Sequence, residues 1–341
     1  MADKDPIVNH IYTADPSAHV FNNRLYIYPS HDRETTIKDN DKGDQYDMAD
    51  YHVLSMDEVG GEVTDHGIAL KAEDIPWVSK QLWAPDAATK NGKYYLYFPA
   101  RDKDGIFRIG VAVGDKPEGP FKAEKEAIQG SFSIDPASFV DDDGQAYLYF
   151  GGLWGGQLQC YAGAEDGSNF DAAQLGANEP STGAALGAKV AKLSSDMLSF
   201  AAPATDVQIL DPDTSSPIAA SDHARRFFEA AWLHKYKGKY YFSYSTGDSH
   251  YLCYAIGESP LGPFTYGGRI LEPVIGWTTH HSIAEFKERW WLFYHDSTLS
   301  GGRNHLRCVK IRELVYDEQG HIHLKDPQPE VEAPPAKLED A

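Results

Sequence analysis

The sequence predicts an all-β fold, a five-bladed β-propeller, on three observations. An aromatic, β-rich run recurs five times, as NRLYIY, GKYYLY, GQAYLYF, GKYYFSY and RWWLFY. One polar or acidic residue (Asp15, Asp86, Asp135, Glu229, His280) precedes the last Tyr of each run by a nearly constant 11 to 15 residues. Long helical patterns are scarce, and short alternating runs are separated by Gly, Asp, Asn and Pro turns. Repeats of about fifty residues, each with about four strands, describe propeller blades.

The first blade opens at TADPSAHVF and turns at the Asn-Asn of FNNRLYIYPS, a tight-turn signal followed by a strand. A polar insertion, Glu34 to Asp50, follows and suits a functional rim. The second blade reads WAPDAATKNGKYYLYF, with FRIGVAVGD as its third strand. The third reads SIDPASFVDDDGQAYLYFGG. From there Tyr147 and Tyr241 lie 94 residues apart, well above the roughly 50 of propeller-type repeats. The Gly/Ala/Ser-rich stretch 163–190 takes up the excess as a long surface loop. The fourth blade is RFFEAAWLHKYKGKYYFSY with YLCYAIGES, and the fifth is THHSIAEFKERWWLFY with LRCVKIREL. GDKPEGPF and ESPLGPF, each after a third strand, resemble one another and support a true repeat. One propeller domain is expected over residues 1–326. Residues 327–341, rich in Pro, Glu and Ala, are expected to form a flexible tail outside it.

Composition narrows the partners. A formal charge of −20 argues against nucleic acid or an anionic membrane surface. It suits a neutral substrate or a bound hard cation. Cys160, Cys253 and Cys308 have unrelated spacings and no CxxC, so neither a zinc site nor a disulfide framework is expected. No signal peptide and no run of membrane-spanning length is visible, which gives a cytoplasmic location as the expectation.

In a propeller the first strand of each blade lines the central axis. Asp15, Asp135 and Glu229 would therefore meet at one channel mouth despite separations of 120 and 94 residues. A lone Asp-Pro is ordinarily a turn initiator. Here DPSAHV and DPASFV are near-copies that open apolar strands, where an unpaired carboxylate is costly. Glu229 sits between Phe228 and Ala230. Converging carboxylates with an imidazole beside them are what acid–base chemistry on a sugar requires.

The segments ADPSAHVFNNRLYIYPSHD, WAPDAATKNGKYYLYF, IDPASFVDDDGQAYLYFGG, RFFEAAWLHKYKGKYYFSYSTGD and THHSIAEFKERWWLFYHD resemble glycoside hydrolase family 43. The resemblance implies a five-bladed propeller acting on arabinose- and xylose-containing polysaccharides. It makes Asp15 the general base and Glu229 the general acid, with Asp135 orienting that acid and tuning its pKa. It implies inversion, with the two carboxyls about 6.5–9.5 Å apart. Glu229 must then stay protonated near neutral pH, helped by apolar neighbours and by the charge of Asp135. His280 is implied to face an axial channel where calcium sits with waters in its shell, a modest site because calcium prefers oxygen. His281 is the alternative if the register shifts by one. Arg307, in NHLRCVKI, is implied to reach the sugar and the acids, with Arg303 the weaker candidate. Trp83, in QLWAPDA, resembles a pocket wall against which a pentose ring packs. Asp86 carries no role from the resemblance and is read as satisfying backbone donors.

Neighbouring chemistries fit less well. ADPSAH, SIDPAS and FFEAAW lack the Asp-Pro-Asn-Gly, Arg-Asp-Pro and Glu-Cys segments of invertase-like retaining enzymes. No basic cluster in the lead strands suggests the phosphate pocket of a phosphorolytic mannosidase. A non-catalytic carbohydrate-binding propeller would not need all three acids. The expected activity is an inverting β-1,4-xylosidase with α-L-arabinofuranosidase activity, releasing terminal sugars from xylo- and arabino-oligosaccharides. An endo-arabinanase of the same fold is the alternative. The rim insertions favour a closed exo pocket.

Overall fold

The computed structural model describes residues 5–161 and 169–338. Blade I holds β1 (Tyr12–Phe21), β2 (Arg24–Asp32), β3 (Asp50–Met56) and β4 (Thr64–Lys71) in that order. Blade II holds β5 (Val78–Lys80), β6 (Asp86–Lys90), β7 (Lys93–Asp102), β8 (Phe107–Gly114) and β9 (Lys122–Ala123); β5 and β6 both pair with β7. Blade III holds β10 (Ala137–Val140), β11 (Ala146–Phe150), β12 (Lys189–Lys192) and β13 (Thr205–Asp206). Blade IV holds β14 (Ile209–Leu210), β15 (Glu229–Tyr236), β16 (Lys239–Ser245), β17 (Leu252–Gly257) and β18 (Phe264–Leu271). Blade V holds β19 (His281–Phe286), β20 (Arg289–Asp296), β21 (Cys308–Tyr316) and β22 (Ile322–Leu324). The five-bladed propeller expected from the sequence is the fold of the chain.

Local chemistry sets the hairpins. In four blades the innermost strand and its hairpin partner (β1–β2, β6–β7, β15–β16 and β19–β20) are joined by two residues, both at positive φ: Asn22-Asn23, Asn91-Gly92, Lys237-Gly238 and Lys287-Glu288. That left-handed pair gives a turn whose twist matches the strands it joins. Lys287-Glu288 adopts it without the Gly or Asn that usually marks it.

The repeated Tyr residues tie neighbouring blades. Tyr28 donates to the Pro117 carbonyl at 2.7 Å, Tyr97 to Met197 at 2.9 Å, Tyr149 to Pro260 at 2.5 Å and Tyr241 to Gly320 at 2.8 Å. Each bond runs from one blade to the next, and Pro117 and Pro260 lie in the two matching segments GDKPEGPF and ESPLGPF. The ring closes where Thr13 and Ile7 donate backbone N–H to Arg307 and Val309. Leu25 and Ile27 pack against Phe293 and Ile311 across the same joint. The innermost strands β1, β6, β10, β15 and β19 touch in a closed ring.

Of the stretch 163–190 expected as a surface loop, residues 169–187 are almost all exposed or half-buried and carry one short 3-10 turn, Ala172–Gln174, while residues 162–168 lie outside the described part. Before it, Leu153–Gly156 turn inward to the axis face. One expectation changes. The tail expected to lie outside the fold instead runs back across the molecule. Gln328 bonds to the backbone of Glu272 and Pro273, and Leu338 is buried. Cys160, Cys253 and Cys308 are free and buried.

Candidate active site

The lead residues stand where the innermost strands begin. Glu229 and Asp86 are the first residues of β15 and β6. His280 immediately precedes β19, Asp135 lies two residues before β10, and Asp15 lies near the start of β1. Asp15 and Asp135 have φ of 47° and 56°, a region that Asp tolerates better than most residues. The ladder of β1 skips between Ala14 and Ser17, and that of β15 between Glu229 and Trp232. These irregularities re-aim the carboxylates out of the sheet and toward the axis.

One pocket gathers Asp15, Asp135, Glu229, His280, Arg307 and Trp83. Its walls come from the blade I insertion (Asn40, Asp41, Gly43, Tyr46, Met48), from Leu153–Gly156, and from Phe228, Trp277 and Thr278. Open space within it, mouth included, amounts to about 580 Å³. Gly43, at φ 72°, lies so close to Trp83 that a Cβ would sit 2.6 Å from the indole. The indole N–H donates to the Tyr46 carbonyl at 2.7 Å, which fixes the ring as a wall.

Arg307 organises Asp15. Its guanidinium grips Asp32 with Nε and Nη2, both at 2.8 Å, and Nη1 reaches Asp15 Oδ1 at 3.0 Å. The Asp15 backbone N–H donates to His295 Nδ1 at 3.0 Å, so that nitrogen is unprotonated and the His295 proton sits on Nε2, facing Thr278. Burial raises the Asp15 pKa, but the Arg307 guanidinium, followed by the neighbouring imidazoles of His295 and His280, outweighs it and brings it to about 2. Asp15 is therefore a carboxylate at neutral pH, held by a buried cation.

Glu229 is in the opposite condition. It keeps partial exposure because it faces the pocket, but protein surrounds its carboxyl. Burial, then the charge of Asp15, raises its pKa to about 8, with Arg307 acting against them. Asp135 is also raised, by burial and by the charges of Glu229 and Asp15. Its Oδ2 accepts the Ala230 N–H at 2.8 Å. Asp135 thus grips the backbone beside Glu229 and orients that side chain from the neighbouring blade. His280 Nδ1 lies 3.7 Å from Asp15 and 3.6 Å from Asp135. Burial lowers its pKa to about 4, leaving a neutral imidazole.

The remaining candidates separate cleanly. His281 points away from the pocket to Ser243 at 2.6 Å. Arg303 pairs with Glu34 on the surface. Asp86 accepts bonds from the Ser138 N–H and hydroxyl, from Ser17 and from His19, and so links blades I, II and III. Asp32, His295, Tyr46, Trp154 and Trp277 were not singled out by sequence reasoning. Asp32 and His295 had a signal: PSHD and FYHD end the first and fifth aromatic runs alike. His31, Asp50 and His52 on blade I, outside the pocket of the acids, form the one group of three potential metal ligands within 4.8 Å of one another among the described residues.

Known proteins match this architecture. The family model described as "Glycosyl hydrolases family 43" matches residues 4–322. A "Xylosidase/arabinosidase 43A" of Humicola insolens is 70% identical over 95% of this chain and 99% of its own. A GH43 β-xylosidase/α-arabinofuranosidase from a compost microbial metagenome, solved with xylotriose in a calcium-free form, is 60% identical with a TM-score of 0.89, over 94% of this chain and 96% of its own. A GH43_1 enzyme of Xanthomonas citri, solved with xylotriose, is 54% identical with a TM-score of 0.86, over 93% and 92% of the two chains. With its five-bladed ring and its converging acids, the chain belongs to glycosyl hydrolase family 43 and is a glycosidase.

Proposed function

We propose that the chain is an inverting exo-glycosidase that removes terminal β-xylosyl and α-L-arabinofuranosyl residues from xylo- and arabino-oligosaccharides. The observation that carries this reading is the opposed protonation of two carboxyl groups on one pocket. Asp15 is ionised at neutral pH and Glu229 is protonated. Asp15 takes a proton from a water as the water oxygen bonds to C1. Glu229 gives its proton to the glycosidic oxygen as the C1–O bond breaks, so charge balances across the site. Arg307 keeps Asp15 ionised and offers its remaining capacity to sugar hydroxyls. Asp135 positions Glu229 through Ala230. Trp83 supplies an apolar face for a pentose ring. Walls from blades I, II, III and V enclose the acids on several sides, which suits a chain end better than a mid-chain cut. The relatives named for xylosidase and arabinosidase activity support the pentose choice.

Calcium fits beside His280. The donor set is one neutral imidazole with two carboxylates within 4.0 Å and no thiolate, which favours a hard cation over zinc. His280 would hold the ion with water molecules, and its charge would offset the repulsion between Asp15 and Asp135.

A hydrolysis panel tests the function. Xylobiose and aryl α-L-arabinofuranoside should be cleaved to monosaccharide, and linear arabinan should not be shortened from within. Rapid loss of arabinan viscosity, or no cleavage of either pentoside, would overturn the reading.

A further inference from the structure

The segment 327–338 lies beyond the region matched by the family model, yet it enters the pocket of the acids. It contains no strand or helix, and most of its residues are exposed. Three attachments hold it. Gln328 bonds to Glu272 and Pro273 at one end. The Pro335 carbonyl accepts the Trp277 indole N–H at 2.9 Å. Leu338 donates its backbone N–H to Asp41 Oδ1 at 2.9 Å, and its side chain is 4% exposed.

What these attachments use is informative. Trp277 and Asp41 both line the pocket. One offers an N–H donor and the other a carboxylate acceptor, the two partners a sugar hydroxyl needs. Leu338 shares an apolar cluster with Trp154, Phe228 and Trp277. Those three rings lie 5.2 to 6.0 Å apart by centroid and form an aromatic wall. Aromatic faces with a donor and an acceptor beside them are a sugar-binding surface. A leucine side chain and two main-chain groups of the same protein now cover it. A strap with no secondary structure and one buried side chain is the kind of element that opens locally at little free-energy cost.

We infer that residues 327–338 form a displaceable plug: Leu338 fills the aromatic side of the pocket, the Pro335 carbonyl holds the Trp277 indole N–H, and an oligosaccharide must expel both to bind. The inference rests on the pentosidase reading of the pocket and adds a competitor built into the chain. A substrate that binds only the open form has its apparent affinity reduced by the fraction of molecules that are open.

The test uses the full chain and its Leu338→Ser variant, which removes the buried side chain and leaves the backbone attachments. KM for xylotriose should fall by about threefold or more with kcat unchanged. In the unaltered chain, xylotriose should speed amide hydrogen exchange across residues 331–338, and Glu229→Gln should keep that response while hydrolysis is lost. An unchanged KM would overturn the plug, and so would a raised one, which would make Leu338 a wall that substrate uses. Slower exchange on adding xylotriose would overturn it too. Failure of the unaltered chain to cleave xylotriose counts against the pentosidase reading alone, because the exchange arm still reports on the strap.

Discussion

Glu229 and Asp15 divide the labour through their surroundings. Glu229 has a pKa of about 8, so its proton is present below that pH and lost above it, and kcat/KM should fall as pH rises through about 8. Glu229→Gln should lower kcat by about 10²–10⁴ on xylobiose and far less on aryl pentosides whose leaving group needs no proton, and the alkaline limb should disappear. An equal loss on both substrate types would remove Glu229 from the acid role. Asp15→Asn should harm both alike. Asp15 is ionised above about 2, chiefly because Arg307 opposes the effect of burial. Arg307→Gln should therefore raise the acid limb of the pH–rate profile by roughly one pH unit or more. An unmoved limb would show that Arg307 does not set the charge of Asp15. These acids were legible in the sequence because the repeat places them at equivalent positions. Tyr46, Trp154 and Trp277 were not, because they sit on insertions and turns that no repeat aligns. Their place depends on how each loop folds over the axis.

At the level of elements, the sequence showed the hairpins well and the joints poorly. NN, NG and KG turns announced three of the two-residue hairpins, while Lys287-Glu288 takes the same conformation with neither residue type as a cue. The tyrosines were visible as strand formers. Their role as donors to the next blade was not, because a hydrogen bond to a carbonyl 79 to 111 residues away leaves no local pattern. Asp86 belongs to this scale. It sits in a lead position but serves as a joint, taking bonds from Ser17, His19 and Ser138. Asp86→Ala leaves those buried donors without an acceptor and should lower stability by about 3 kcal/mol, seen as a lower Tm. The pH dependence of kcat should stay as it was. A Tm within error of the parent would mean the blades are held by packing alone.

Across the whole molecule, five blades from consecutive stretches of chain close into a ring with every lead residue at its axis. This arrangement concentrates negative charge where the chemistry needs one carboxylate ionised and another protonated. A cation beside His280 would relieve part of that conflict. Prolonged chelation should lower activity or Tm, calcium should restore it, and His280→Ala should abolish the response. Chelation that changes neither would leave His280 as a neutral imidazole facing two acids. The inference that covers most of the structure is that Asp15 and Glu229 act on opposite sides of one sugar, with a water between base and C1. Proton NMR of the xylose released from an aryl β-D-xyloside, read before the anomers equilibrate, tests it most directly. The account predicts the α-anomer, inverted from the β-linkage; β-xylose as the first product would contradict it.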